Sequence, residues 1–120
     1  MARAPAASLV LPRIVAADRA IVLLGICGSE LVGRRLSVEG RGAQVVRCGR
    51  FGLLVSPVTA DTFGDVPERV RDDPARLAHE GRILERAVER ARAHGAVVPT
   101  RVLTVFASWQ ALEAIARAQA

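Results

Sequence analysis

Apolar residues run without interruption from Ala20 to Cys27 (AIVLLGIC) and stop at Gly28-Ser29. A strand with one solvated face alternates, so a continuous run of this length reads as a first strand buried on both faces. Ser29 to Leu36 reads as a short helical turn capped by Ser29. Gln44 to Arg47 and Phe51 to Ser56 are two further strand-like runs, joined by Cys48-Gly49-Arg50 with glycine where a hairpin turn needs positive φ. Pro57 is expected to end the second of them, and Thr59 to Pro67 to form a connecting loop.

The strongest periodic signal is a helix from Pro74 to His94. Asp73 suits its N-cap, Pro74 its first position, and His94-Gly95 its stop. Leu77, Gly81, Leu84, Val88 and Ala91 draw an apolar stripe along it, with Arg82, Arg86, Glu89, Arg90 and Arg92 on the solvated side. Ala96 to Val98 and Val102 to Phe106 read as a last strand interrupted at Pro99. Ser108 then caps a closing helix with Trp109, Leu112 and Ile115 on one side.

Strand, hairpin, long helix, strand and helix make an α+β fold. The expected form is a ferredoxin-like antiparallel sheet with the long helix and the short C-terminal helix on one face. Residues 1–12, rich in Ala with Pro5 and Pro12, are expected to be a flexible N-terminal arm, and residues 13–120 one domain.

Composition narrows the function classes. The 120 residues are 51% hydrophobic with a net charge of +5, and all 17 basic residues are Arg. The arginines are spread from Arg3 to Arg117 among Asp and Glu. With three Phe, one Trp and no Tyr there is little material for base stacking, which argues against nucleic acid as the main partner. No apolar run approaches the roughly 20 residues that span a bilayer. Leu23-Leu24-Gly25-Ile26-Cys27 superficially fits a lipoprotein cleavage box, but Ile26 stands where a small residue is required and Asp18 breaks the preceding run.

The residues offer no catalytic constellation. Cys27 and Cys48 belong to no metal-ligand spacing and read as reduced thiols. His79 and His94 lack the spacing of a metal site. Asp72 and Asp73 are helix-start charges, and the glycines match no phosphate loop. No cofactor, metal site or enzymatic activity is expected.

Several motifs in a fixed order resemble those of the GvpL/GvpF gas vesicle proteins. The first strand ends in Gly25-Ile26, and the hairpin leads into Leu54-Val55-Ser56-Pro57-Val58, followed by Phe63-Gly64. The long helix carries His79-Glu80, and the closing strand has Val97, Pro99, Arg101, Thr104 and Phe106. From about Arg13 to Ser108 the chain is similar to the N-terminal domain of that family. Val102-Leu103 departs from its usual Phe-Gly, and the family's second, helix-rich domain has no counterpart before Ala120.

The resemblance implies a cytoplasmic, gas-vesicle-associated assembly role, exerted by binding the shell protein or other accessory proteins. A small basic domain that binds nucleic acid or another acidic partner is the alternative. Three structural expectations accompany this reading. Leu84 should be a core residue of the long helix, and Glu80 should pair with Arg101. The second sheet face should be open and apolar, available to a partner or to homo-oligomerisation.

Overall fold

The structure is a computed structural model that describes residues 19–59, 73–102, 104–106 and 108–119. The expected N-terminal arm, most of the Thr59 to Pro67 loop and the Phe63-Gly64 motif lie outside these residues. The elements in chain order are β1 (Arg19–Gly28), a 3-10 turn (Ser29–Leu31), β2 (Arg35–Val38), β3 (Arg41–Cys48) and β4 (Phe51–Thr59). They are followed by α1 (Pro74–Arg92), β5 (Val97–Pro99), β6 (Val105–Phe106) and α2 (Trp109–Gln119). The six strands form one antiparallel sheet in the order β2-β3-β4-β1-β5, with β6 pairing the first half of β1.

Turn chemistry fixes the register on one side of the sheet. The β2–β3 hairpin closes on Glu39-Gly40, both at positive φ (52° and 80°), the conformation that a two-residue I′ turn requires. The β3–β4 hairpin closes on Gly49-Arg50, with Gly49 at φ 59°. Ser29 does not cap a helix: the three-residue 3-10 turn begins after Gly28, which contributes no side-chain cap, and the chain then enters β2. β2 is short and carries charged or polar residues at alternate positions, so its strand character comes from pairing with β3.

Pro57 does not end β4, which continues to Thr59 and pairs Pro57 with Ile21 of β1. Proline is tolerated there because the β3–β4 ladder has already stopped at Gln44–Val55. Continuing that register would set Pro57 opposite Gly42, where it has no N–H to donate. Ser56 Oγ donates to the Gly42 carbonyl instead, at 2.8 Å.

The other side of β1 is irregular. Its register against β4 shifts between Leu23 and Gly25, a bulge that leaves Leu24 as the extra residue. Thr100 closes over the bulge, its N–H bonding Leu24 O at 3.1 Å and its hydroxyl Leu23 O at 2.6 Å. The expected last strand is thus two strands, β5 and β6, either side of the bulge.

Alternation along β1 sends side chains into two cores. Val22, Leu24 and Cys27 join Leu31, Val45, Leu54 and the α1 residues Ile83, Ala87, Val88 and Ala91. Ile21 and Leu23 join Val46, Cys48, Leu53, Val55 and Leu112 of α2, with Phe106, Trp109 and Ala116 packed around them. The helices therefore cover opposite faces, which corrects the expectation that both lie on one. Apolar strands on both faces need a cover on both, and the two helices supply it more completely apart than together.

The α+β class holds. The ferredoxin-like pattern would place a helix between the first two strands, and here a 3-10 turn and the edge strand β2 stand in its place. Asp73 caps α1 as expected, accepting from the N–H groups of Ala75 and Arg76. Its buried face is Glu80, Ile83, Ala87, Val88 and Ala91, rotated from the expected stripe, so that Leu77 and Leu84 lie at its margin. Small Ala87 and Ala91 allow the close approach, and Glu80 is drawn inward by an ion pair. On α2 it is Ala116 that packs inward with Trp109 and Leu112, while Ile115 is exposed.

Cys27 and Cys48 are buried free thiols in the two different cores, separated by the sheet. Burial, assisted by nearby Glu30, raises Cys27 to about 11. Burial also raises Cys48, against a lowering influence from Arg117. Both thiols are expected to react with a thiol reagent at neutral pH only as fast as the chain unfolds. Because the folded pKa of Cys27 lies above the ordinary thiol value of 9.0, its contribution to stability is intact below pH 9 and is lost as pH rises toward 11. Melting curves from pH 8 to 10.5 should show this loss, reduced in Cys27→Ala; equal slopes in the two proteins would remove Cys27 as its source.

Candidate functional site

The motif residues fall into two groups on either side of the sheet. The first surrounds the point where β3 and β4 separate. Ser56, fully buried beneath α1, satisfies the Gly42 carbonyl, and Pro57 follows it. The neighbouring Arg41 reaches α1 and makes a bidentate ion pair with Glu80, Nη1–Oε1 2.5 Å and Nη2–Oε2 2.6 Å. The pair is largely withdrawn from water, with 12% of Arg41 and 6% of Glu80 exposed. Glu80 does not meet Arg101, which is exposed on the opposite edge of the sheet. The helix turns Glu80 toward the β2–β3 hairpin, and Arg41 lies at the right place in β3 to receive it. His79, adjacent on α1, is half-buried and takes no part in this pair.

The second group surrounds the β1 bulge. Gly25 faces Pro99, and a Cβ on Gly25 would lie 3.0 Å from Val98 O and 3.1 Å from Val97 Cγ1. The glycine thus lets β5 close on β1 without steric resistance. Thr104 O receives the Leu23 N–H at 2.8 Å, while the Thr104 hydroxyl donates to Arg101 O at 2.6 Å. Phe106 faces Ile21 and packs into the α2 core. Apart from Ile26, Pro99 and Arg101, whose side chains are exposed, this group serves to hold an irregular edge together.

The exposed Ile26 belongs to a feature that the motifs did not reveal. It pairs with Leu53 on one side and Val98 on the other, and Phe51 faces both Gly28 and Cys48. Directly paired residues share a face, and Leu53 and Cys48 lie in the α2 core. Ile26, Phe51 and Val98 therefore stand together on the α2 side, beyond the cover of the helix. They are 40%, 42% and 65% exposed. The expectation of a wholly open second face is corrected: α2 covers its greater part and leaves this strip. The signal in the sequence was the unbroken apolar run of β1 matched by apolar Phe51 and Val98, but only the pairing register joins them.

The other side of the molecule is polar. The outward face of α1 carries Arg82, Glu85, Arg86, Glu89, Arg90 and Arg92. Arg86 pairs with Glu39 at 3.4 Å, Arg90 donates to Ser37 O on the edge strand β2, and Arg92 donates to Val97 O on β5 at 3.4 Å. Arginines of α1 thus occupy backbone carbonyls on both outer strands, which discourages further strands from adding there.

Among the described residues no group of three or more His, Cys, Asp or Glu side chains is placed to hold a metal ion. No helix among them is long and apolar enough to cross a membrane. The features in view are surfaces: an arginine-rich polar face on one side and an apolar strip on the other.

A six-stranded antiparallel sheet with one helix on each face defines an α+β domain. Residues 20–120 match the family model of the gas vesicle synthesis protein GvpL/GvpF, and the chain belongs to that family. No curated protein and no solved structure matches it.

Proposed function

We propose that this chain is a non-catalytic assembly domain of gas vesicle synthesis, acting in the cytoplasm by binding the shell protein or another accessory protein. The observation that carries this reading is the family match across residues 20–120. The use made of the motif residues supports it. Ser56 and Thr104 satisfy backbone carbonyls, Glu80 is paired with Arg41, and Gly25 admits β5. These residues shape a scaffold, leaving its surfaces to interact with other molecules.

The test is genetic and biochemical. Deleting the gene in its native host should abolish or deform gas vesicles, and a tagged copy should restore them and co-purify with the shell protein or an accessory protein. Normal vesicles after deletion would overturn the reading. So would binding of the purified chain to arbitrary DNA with steep salt dependence in place of protein co-purification.

A further inference from the structure

The arginines of this chain are used unequally. Arg41, Arg86, Arg90, Arg92 and Arg117 each hold a carboxylate or a backbone carbonyl. Arg34, Arg35, Arg47 and Arg50 are exposed, and among the described residues no ion pair or side-chain hydrogen bond engages them.

The sheet gathers these four at one corner. The Val45 N–H donates to Arg34 O and the Gly33 N–H to Val45 O, both at 2.9 Å, so Arg34 stands opposite Val45. Arg47 lies two residues further along β3, on the same face, a diagonal neighbour of Arg34 at about 7–8 Å. Arg35 pairs with Gln44 on the other face, and Arg50 lies in the turn that joins β3 to β4. β2 is the outermost strand, so both faces of this corner are reached from outside the sheet. From Leu31 to Gly52 there are five arginines and a single carboxylate, Glu39, which stands at the opposite turn and pairs with Arg86. On α1, by contrast, Arg82, Arg86 and Arg90 are interleaved with Glu85 and Glu89. Like charges at neighbouring sheet positions repel, and the corner holds several with no internal counter-charge.

We infer that this corner is a docking surface for an extended, carboxylate-rich segment of a partner protein. Guanidinium groups take carboxylates in paired hydrogen bonds, and exposed Phe51 beside Arg50 offers an apolar contact at the end of the patch. Phe51 is the one aromatic side chain there, so the succession of stacking platforms that holds a nucleic-acid strand is missing. About four phosphate contacts would also give a duplex little affinity at physiological salt. The inference rests on the proposed assembly role and specifies the surface that performs it.

The test uses the full chain, a short Glu-rich peptide, its Lys-rich counterpart and a duplex oligonucleotide. The Glu-rich peptide should bind, less tightly as salt is added, and the Lys-rich peptide should not. Replacing Arg34 and Arg47 together by Glu should weaken binding about tenfold or more. Replacing Arg82 and Arg101, exposed but away from the corner, changes the net charge equally and should alter binding less than about twofold. The Arg34→Gln, Arg47→Gln variant should lose affinity yet keep or raise the wild-type Tm, since it relieves repulsion. A lowered Tm would show that the two arginines serve the fold. Equal weakening by the two Glu variants would reduce the effect to net charge, tighter binding of the oligonucleotide would make the partner a nucleic acid, and no peptide binding would leave a solvated corner. Each of these results overturns the inference. Peptide binding that depends on Arg34 and Arg47, without co-purification of a vesicle protein, would retain the surface and refute the assembly role. Co-purification that the Arg34→Glu, Arg47→Glu variant leaves intact would do the reverse.

Discussion

Ile83→Asp is expected to abolish folding at ambient temperature, whereas Leu84→Asp, one residue further along α1, should leave a folded chain with a lowered Tm. Ile83 is 1% exposed and sits among Val22, Leu24 and Leu54 in the core beneath α1. A carboxylate there would stand in an apolar cluster and lose its hydration, a cost of several kcal/mol. Small domains are stable by only about 5–15 kcal/mol, so that loss takes a decisive share. Even Ile83→Ala should cost about 2–5 kcal/mol through lost burial and the cavity left behind. Leu84 packs at the margin of the same core with part of its side chain in water, and an Asp there can turn outward. Circular dichroism melts of the three variants check this. An Ile83→Asp protein with the wild-type Tm would mean that α1 presents another face to the sheet.

That contrast shows where the sequence stops being legible. The helix itself was readable from Asp73, Pro74 and the charged residues, all of which act locally. Which of two adjacent residues faces the sheet depends on the roll of the helix, which is set by what lies opposite. Ala87 permits close contact and Glu80 seeks a cation, and neither belongs to a stripe drawn through Leu77, Gly81, Leu84, Val88 and Ala91. The β3–β4 hairpin was similarly readable from Gly49 and its flanking apolar runs. β2 was not, because Arg35-Leu36-Ser37-Val38 becomes a strand only by pairing with β3.

The two faces of the sheet follow the same division. The unbroken run of β1 established that both would be apolar, and they are. It could not say that α2 crosses to the far face, since that depends on the route taken after β6. The exposed strip is a further step removed: Ile26, Phe51 and Val98 are distant in sequence and meet through ladders whose registers are set by a bulge and a two-residue turn. The site was legible in its residue types and illegible in its assembly. The partner of Glu80 was equally hidden, because 17 arginines offered themselves and the true one lies 39 positions away.

Removing either member of the Arg41–Glu80 pair is expected to cost about 3–5 kcal/mol, and replacing both with apolar residues less than either single change. Both groups are largely out of water, so the loss of Arg41 leaves the Glu80 carboxylate without the guanidinium that offsets its burial, and the loss of Glu80 removes a bidentate carboxylate from a guanidinium that is only 12% exposed. In the Arg41→Met, Glu80→Leu double variant neither charge of this pair remains to be solvated, and the new side chains gain contact with the core beside Val38 and Ala43. Arg41→Lys should recover little, because a single ammonium cannot reproduce the two parallel hydrogen bonds to the carboxylate. The pair joins the β2–β3 hairpin to α1, so amide exchange in the single variants should accelerate first in β2 and the adjoining part of β3, before β1 and β4. A double-mutant cycle of unfolding free energies, combined with exchange measurements, tests the account. Additive losses would show that the two charges are not coupled. Coupled losses with uniform exchange would show that the pair stabilises the whole sheet and does not act as a local clamp on its edge.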